Sequence, residues 1–328
     1  MNALLTIAIP TYNRAELLNK QLAWLAKSIK GYESECEIIV SDNCSEDHTQ
    51  EIVKKWQSLL PTTTFHINKS SENVGVMKNI TYCIEAATSK YVWTISDDDI
   101  IADTTISYII NTLKKEPDLG LLLLNFSCRH EVTGELLYQR CYELNYEQVE
   151  HNGKAAFERC IQENRSGVQL MSAQVYKTEL AQAALQKWPN GVKNLDYQVY
   201  LTGFCAFHGS VKVTKDSLLE NAFGASHWMV KPKVLLKMQY TYSPEVNIKL
   251  KEIGYSQSFC SQLILRHLTD NNWRIFFGAL RRWPIIAVTT IIPYFGLVAT
   301  SILENVMSQQ EREIKIYQSS NLENKQIS

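Results

Sequence analysis

The sequence of 328 residues lacks most short motifs that identify common enzyme classes. It contains no G-x-x-x-x-G-K-[ST], no G-x-G-x-x-G and no H-E-x-x-H, so ATPase, dinucleotide-binding and zincin functions have no support. Its eight cysteines include no C-x-x-C pair, which excludes the common zinc spacings and a thioredoxin-type redox motif. We expect these cysteines to be small buried hydrophobic residues in a reducing compartment.

An excess of charge of either sign is also missing. The 33 basic and 34 acidic residues leave a net charge of −1, which disfavours a protein that coats nucleic acid. Residues 205–290, however, carry eleven Lys and Arg against five Asp and Glu, a net charge of +6. No basic region precedes the first apolar run, so we do not expect a secretory signal. We expect the protein to act in the cytoplasm.

Short apolar runs alternate with segments of helical periodicity in the first half of the sequence. The runs predict strands at residues 4–10, 37–40, 91–96 and 119–126, and residues 63–68 are predicted as a further strand within the same alternation. The alternation is typical of an α/β fold with a mostly parallel sheet and helices on both faces. It ends after residue 127, and helical patterns dominate from about residue 176.

Four polar clusters follow the first four predicted strands, at residues 11–14, 41–43, 72–75 and 97–99. Ligands of open parallel sheets bind at the carboxyl ends of the strands. Helix capping would explain any single cluster, but four clusters in register predict one binding edge.

The triplet Asp97, Asp98 and Asp99 is the sharpest of these clusters. Adjacent buried carboxylates repel one another unless a cation balances them, and hard oxygen ligands suit Mg²⁺ or Mn²⁺. The alternative is that Asp99 or Asp103 only caps the following helix.

In order and spacing, the runs IPTYNR, VSDNCSEDHT and ENVGVMKN with the D-x-D triplet resemble the family 2 glycosyltransferases of GT-A fold, over residues 4–215. The resemblance is greatest to bacterial O-antigen or capsule sugar transferases, including the abequosyltransferase-like group. It implies a nucleoside-diphosphate-sugar donor, Mn²⁺ or Mg²⁺, and inversion at the anomeric carbon.

The resemblance also implies a donor pocket at the ends of the first three strands, formed by Pro10, Thr11, Asn13, Arg14, Asp42, Asn73, Gly75 and Lys78. In that pocket Arg14 would face the phosphates and Asp42 would accept a hydrogen bond from the base. Lys78 would lie near the donor or, alternatively, on a solvated helix face. Asp47 is expected to cap a helix instead of touching the ligand.

Within the triplet we expect Asp99 to bind the metal, Asp97 to assist, and Asp98 to contact the ribose or sugar. Neighbouring side chains at a strand end point to opposite sides, so all three cannot ligate one ion. The sequence around the triplet also departs from the usual L-D-x-D-D pattern, because Ser96 stands where that pattern has its first aspartate.

Asp196 is the candidate catalytic base, because the family places an aspartate at a helix start ninety-odd residues after the D-x-D. An apolar-periodic segment ending at Gly209 begins there. Leu195 stands where a Glu is more usual, and a favourable interaction with the helix dipole is the alternative role for Asp196. His227 and Trp228 follow in a loop, where an ordinary histidine and a sugar-stacking tryptophan are the hypotheses.

The run of 21 residues at 283–303 has no charge and follows Arg281 and Arg282. A spanning helix, a re-entrant hairpin, a buried core helix and peripheral docking on the cytoplasmic leaflet all fit, and we favour docking. The expected domains are residues 1–215, with nucleotide binding in 1–126 and the acceptor side in 127–215, and a helical region at 216–328.

The resemblance and the residues together imply a metal-dependent, inverting glycosyltransferase on the inner face of the plasma membrane. It would transfer a sugar to a hydroxyl of a lipid-linked oligosaccharide, with no role for nucleic acid. A non-catalytic scaffold of the same fold and a sugar-nucleotide nucleotidyltransferase are the alternatives. The latter lacks support because residues 10–14 contain no glycine.

Overall fold

The computed structural model describes residues 3–224, 231–269 and 273–326. The chain divides into two compact units, residues 1–227 and residues 228–328.

Within the described residues, ten strands form one sheet in the first unit: β1 (Leu5–Thr11), β2 (Cys36–Asp42), β3 (Thr64–Lys69), β4 (Tyr91–Thr94), β5 (Ile100–Ile101), β6 (Leu119–His130), β7 (Leu136–Tyr138), β8 (Val149–Glu150), β9 (Gln174–Lys177) and β10 (Ser210–Phe223). The helices of this unit are α1 (Ala15–Ser28), α2 (Thr49–Leu59), α3 (Val76–Glu85), α4 (Thr105–Lys115), α5 (Gly153–Glu163), α6 (Ser166–Gln169), α7 (Thr178–Lys187) and α8 (Tyr197–His208). All five predicted strands are present. The strands β1, β2, β4 and β6 are largely buried, whereas β3, at the edge of the sheet, is partly exposed along its whole length.

The strand order is β3-β2-β1-β4-β9-β6-β10-β5, with β7 paired to β6 and β8 to β10. Strands β3, β2, β1 and β4 are parallel, and β6 is parallel to β10. The short strand β9 joins these two blocks and is antiparallel to both neighbours. The apolar pattern did not predict β9, and the sheet is mixed at its centre.

Strand β10 changes the expected boundary at residue 215. Residues 216–223, assigned from the sequence to the helical region, continue this strand beside β6. The pairing shifts register between Val213 and Ser217 and between Ser217 and Leu219. Such bulges break the period-2 alternation of side chains, so the strand is hidden in the sequence.

Two glycines permit a close approach of the backbone where β6 and β10 begin. A Cβ atom at Gly120, in β6, would lie 2.6 Å from the Cα atom of Gly209, which follows α8. Any larger residue at Gly120 would separate β6 from the turn that leads into β10.

The second unit is helical: α9 (Pro232–Lys237), a π-helical turn (Met238–Tyr242), α10 (Ser243–Glu252), α11 (Gln257–Thr269), α12 (Trp273–Arg282) and α13 (Pro284–Gln326). Its core is built around Leu236, Tyr240, Ile264, Ile291 and Tyr294. Helix α13 continues through Pro293, so the apolar stretch is not the re-entrant hairpin that the sequence left open.

One helix of the described residues is long and apolar enough to cross a membrane. This segment of α13, Pro284–Glu304, has a mean hydropathy of 1.9, yet only 33% of its most apolar window is buried inside the protein. Its exposed apolar side chains recur at helical spacing: Ile285, Val288, Ile292, Phe295, Ile302 and Leu303. We call this surface the apolar stripe of α13.

Candidate active site

Strands β1 and β4 bring the first and fourth polar clusters together. The Thr11 hydroxyl donates to Oδ2 of Asp97 over 2.7 Å. Arg14 Nη1 donates to Oδ1 of Asp97 over 2.9 Å and to Oδ2 of Asp98 over 2.7 Å. One guanidinium therefore joins two consecutive carboxylates.

The single positive charge of Arg14 faces two carboxylates, Asp97 and Asp98, so the charges balance only in part. Burial raises the pKa of Asp97, although Thr11 and Arg14 act in the opposite direction. Burial by itself lowers the pKa of Arg14, but Asp97 and Asp98 more than reverse that effect and leave it raised. Arg14, expected to face phosphates, here neutralises carboxylates.

Asp99 lies apart from this ion pair. Burial raises its pKa to about 7, and the charges of Asp98 and Asp97 act in the same direction. Its Oδ2 atom is buried without a hydrogen-bond partner in the described part of the chain. The expectation paired Asp97 with Asp99, whereas the structure pairs Asp97 with Asp98 through Arg14.

These properties fit a divalent cation. A buried, unpaired carboxylate oxygen beside two further carboxylates is unfavourable alone and favourable against a hard cation. Within residues 3–224, 231–269 and 273–326, no group of three His, Cys, Asp or Glu side chains could hold a metal by itself. Oxygens from a bound ligand would have to complete the coordination.

Strand β2 supplies the second cluster. Asp42 is fully buried, and its Oδ1 accepts from the Ser45 amide over 2.9 Å while Oδ2 accepts from Gln50 Nε2 over 2.5 Å. Both carboxylate oxygens of Asp42 thus have partners within the protein.

Asn13 and Asp47 join the loop that precedes α1 to the loop that precedes α2. Asn13 has a positive φ of 52°, and its amide donates to the Ser45 hydroxyl over 2.8 Å. Asp47 accepts from the amides of Ala15 and Thr49, each over 3.0 Å. The predicted capping role of Asp47 is confirmed, since Thr49 begins α2.

The third cluster is joined to the second by asparagine side chains. Asn43 Nδ2 donates to Asn73 Oδ1 over 2.9 Å, and Asn43 Oδ1 accepts from the Val74 amide over 2.8 Å. Gly75 has a φ of +91°, which a side chain would strain, and precedes α3. The backbone N–H of Asn43 also donates to the Thr11 carbonyl oxygen over 3.0 Å. Hydrogen bonds therefore link all four clusters.

Two further pocket residues have simple positions. Pro10 is half-buried near the end of β1, and Lys78 is exposed on α3. Asn79, which the sequence analysis missed, donates through Nδ2 to the Ser41 carbonyl oxygen over 2.9 Å and supports the β2 end. A buried asparagine inside an apolar helix was the available signal.

Asp196 directly precedes α8 and is fully buried. Arg165 Nη2 donates to its Oδ2, and Gln169 Nε2 donates to its Oδ1 over 2.9 Å. Its side chain does not cap the helix. Arg165 and Gln169 carry no motif, and sequence reasoning did not find them.

The segment that holds Asp196 also reaches the triplet. Ser172, three residues beyond Gln169, accepts through Oγ from the Ser96 amide over 2.9 Å. Ser172 also hydrogen-bonds to Asp99 and acts against the rise in its pKa. Residues 165–172 therefore contact both the candidate base and the candidate metal ligand. His227 and Trp228 lie outside the described residues.

Comparison with known proteins agrees with this arrangement. Residues 6–159 match the family model of glycosyl transferase family 2. The chain contains a glycosyl transferase family 2 domain. This family 2 domain covers all four polar clusters, the aspartate triplet included, while Asp196 and the second unit lie beyond it.

Two curated relatives illustrate its similarities. Abequosyltransferase RfbV of Salmonella typhimurium is 29% identical over 118 residues, which are 36% of this chain and 35% of that protein. The GalNAc(5)-diNAcBac-PP-undecaprenol β-1,3-glucosyltransferase of Campylobacter jejuni is 29% identical over 133 residues, 40% of each chain. The matches thus span well under half of each relative.

Solved structures show the same fold over most of the chain. TarS of S. aureus in complex with UDP-GlcNAc is 16% identical with a TM-score of 0.64, covering 90% of this chain and 81% of that one. The mannosyltransferase PcManGT of Pyrobaculum calidifontis, in complex with GDP-Man and Mn²⁺, is 14% identical with a TM-score of 0.53, covering 92% and 85%. The GT-A fold expected from the sequence is confirmed.

Proposed function

We propose that this protein is a metal-dependent, inverting glycosyltransferase. It moves a sugar from a nucleoside-diphosphate-sugar to a hydroxyl of a lipid-linked oligosaccharide in O-antigen or capsule biosynthesis. The observation that carries the proposal is the convergence of Thr11, Arg14 and the aspartate triplet at the carboxyl ends of β1 and β4.

The donor nucleotide lies against the linked clusters in this proposal. The residues that would form the donor pocket are those expected from the sequence: Pro10, Thr11, Asn13, Arg14, Asp42, Asn73, Gly75, Lys78 and, at the ribose or sugar, Asp98. The complexes of TarS with UDP-GlcNAc and of PcManGT with GDP-Man support a nucleotide-sugar donor.

Asp99 and Asp97 would hold Mn²⁺ or Mg²⁺. The unpartnered Oδ2 of Asp99 supports this assignment, as does the Mn²⁺ complex of PcManGT. A bound cation would neutralise negative charge on the diphosphate leaving group. Arg14, which already contacts Asp97 and Asp98, keeps those two carboxylates in place and adds positive charge beside the phosphates.

Asp196 would accept the proton of the acceptor hydroxyl. A general base must be held in a fixed position, and Arg165 and Gln169, which donate to the two carboxylate oxygens of Asp196, would orient it. Attack from the side opposite the leaving diphosphate inverts the anomeric configuration.

The acceptor assignment rests on the second unit and on one relative. The apolar stripe of α13 follows Arg281 and Arg282, an arrangement that favours docking on an anionic cytoplasmic leaflet. The name of the C. jejuni relative includes an undecaprenol-linked substrate. An enzyme docked in this way would meet a lipid-linked acceptor where that acceptor diffuses.

A thermal-shift screen of nucleotide sugars with and without Mn²⁺ tests the proposal. We expect one nucleotide class to raise the melting temperature, more strongly with the metal, because a ligand at 100 times its Kd stabilises the fold by about 2.7 kcal/mol. Slow hydrolysis of that donor by purified protein would separate an enzyme from a scaffold. If no nucleotide sugar binds, or if the protein forms sugar nucleotides from nucleoside triphosphates, the proposal is wrong.

A further inference from the structure

The second unit contains a cavity of about 350 Å³ between α9, the π-helical turn and α13. Lys233, Lys237 and Tyr242 are among its lining residues, and Val234 and Ile286 add apolar surface. The family 2 domain ends at residue 159, so no part of this cavity belongs to it.

Positive charge gathers beside this cavity. Lys233 Nζ lies 5.3 Å from the centre of the Trp283 ring, and the Arg282 guanidinium lies 5.4 Å from the same centre. The ion pairs described for this unit use Lys249 and Lys251 instead. Among the described residues no carboxylate pairs with Lys233, Lys237 or Arg282, so their mutual repulsion favours an anionic ligand.

The cavity lies at the start of the apolar stripe of α13. Ile286 lines the cavity, while Ile285, one residue earlier, is 78% exposed and belongs to the stripe. Cations and a tryptophan at the end of an exposed apolar helix match the layering of a membrane, with charged headgroups above hydrocarbon. A ligand with an anionic head and an apolar tail fits both surfaces.

We propose that this cavity binds the phosphate of an anionic membrane lipid. Lys233 and Lys237 would contact the phosphate oxygens, and Val234 and Ile286 would pack against the adjoining apolar part of the lipid. The inference rests on the membrane docking in the proposed function and adds the residues that recognise the headgroup.

Vesicle binding by the full-length protein tests the site. The variant Lys233→Glu/Lys237→Glu is compared with Lys20→Glu/Lys30→Glu, which makes the same change in charge at exposed lysines of the first unit. On vesicles of phosphatidylcholine with phosphatidylglycerol, we expect the first variant to lose at least ~10-fold in affinity and the second to bind like the wild type. Equal affinities for the two variants would overturn the proposal.

Two further measurements distinguish binding in the cavity from general attraction of the vesicles to the charged surface. Val234→Phe fills the cavity without changing charge, and we expect weaker binding to the same vesicles at an unchanged melting temperature. Unchanged binding by this variant would assign the effect to surface charge alone. A rise in melting temperature with inorganic phosphate that matches the effect of the vesicles would make free phosphate the ligand and overturn the lipid assignment.

The nucleotide-sugar screen on the wild-type protein keeps the two proposals distinguishable. If no donor binds while the two charge variants still differ on vesicles, the transferase proposal fails and the lipid site stands. If a donor binds while those variants do not differ, only the lipid site fails.

Discussion

Arg14 divides the three consecutive aspartates into two kinds. Asp97 and Asp98 share its guanidinium, whereas Asp99 has a buried oxygen without a partner in the described residues and a pKa raised to about 7. Neutralising Asp99 should therefore leave the fold intact, since ionised Asp99 is unfavourable where it is buried.

Asp99→Asn should reduce transfer by at least ~10²-fold at saturating Mn²⁺, because a metal supplies several kcal/mol of charge stabilisation. Its melting temperature without metal should equal or exceed that of the wild type. Asp98→Asn should have the milder effect on transfer. Asp103→Asn, an exposed aspartate paired with Lys27, is the matched control and should keep full activity. Near-normal transfer by Asp99→Asn would remove Asp99 from the metal site.

Asp196→Asn should leave donor affinity nearly unchanged and lower turnover by about 10²- to 10⁴-fold, as for loss of a general base. It also leaves Arg165 without its carboxylate, so some loss of stability is expected. The double variant Arg165→Gln/Asp196→Asn removes the unpaired charge and should recover stability without recovering turnover. Recovery of both would make Asp196 a structural residue.

At the scale of elements, the candidate active site lies at the carboxyl ends of the parallel strands, and a stabilising hydrogen-bond network lies at their opposite ends. Glu37, near the start of β2, accepts hydrogen bonds from Thr6 in β1 and from the Thr88 hydroxyl over 2.9 Å. His66 in β3 lies 3.2 Å from the same carboxylate. The network ties three parallel strands and the turn before β4 far from Asp42, at the other end of β2.

The stability of wild-type protein should fall below about pH 4.5 more steeply than that of Glu37→Gln. Burial raises the pKa of Glu37, but hydrogen bonds from Thr6 and Thr88 outweigh it and leave this pKa lowered. The ionised group therefore stabilises the fold above its unfolded pKa of about 4.3, and this contribution is lost as the pH falls through the folded pKa. At pH 7 the variant should lose about 1–3 kcal/mol.

Urea unfolding followed by tryptophan fluorescence at several pH values measures this difference. Glu51→Gln, an exposed glutamate of α2, is the control and should unfold like the wild type. A gap between the wild type and Glu37→Gln that stays constant down to pH 3 would contradict the role of the ionised carboxylate.

At the scale of the whole molecule, we propose that the first unit binds the donor and that the second unit docks on the membrane. The first unit holds the linked polar clusters, and the second exposes an apolar helix beside unpaired cations. Each unit can therefore be tested by substitutions on its own surface.

Ile292→Asn/Phe295→Asn should move the protein from the membrane to the soluble fraction. These two side chains are 63% and 44% exposed, so polar replacements remove hydrophobic docking without disturbing the core of the unit. Val132→Asn, at a side chain 86% exposed in the first unit, is the matched control. If the full-length protein is monodisperse without detergent and indifferent to vesicles, the stripe does not dock on a membrane.

The sequence by itself determined the elements whose signals are local. The strands β1, β2, β4 and β6 are apolar runs, and burial of both their faces needs no other information. The polar clusters were predicted because parallel strands place their carboxyl ends at one edge. Asp47 was recognised as a capping residue because capping involves residues close in sequence.

Tertiary structure decided what depends on contacts between distant segments. The antiparallel β9, the bulged β10 and the pairing of Arg165 with Asp196 involve partners that no local pattern identifies. The charge state of Asp99 likewise depends on burial and on Ser172, which lies more than seventy residues away in the sequence. Local propensity specifies a strand or a helix, but only tertiary packing specifies which side chains contact one another and how far they are exposed to solvent.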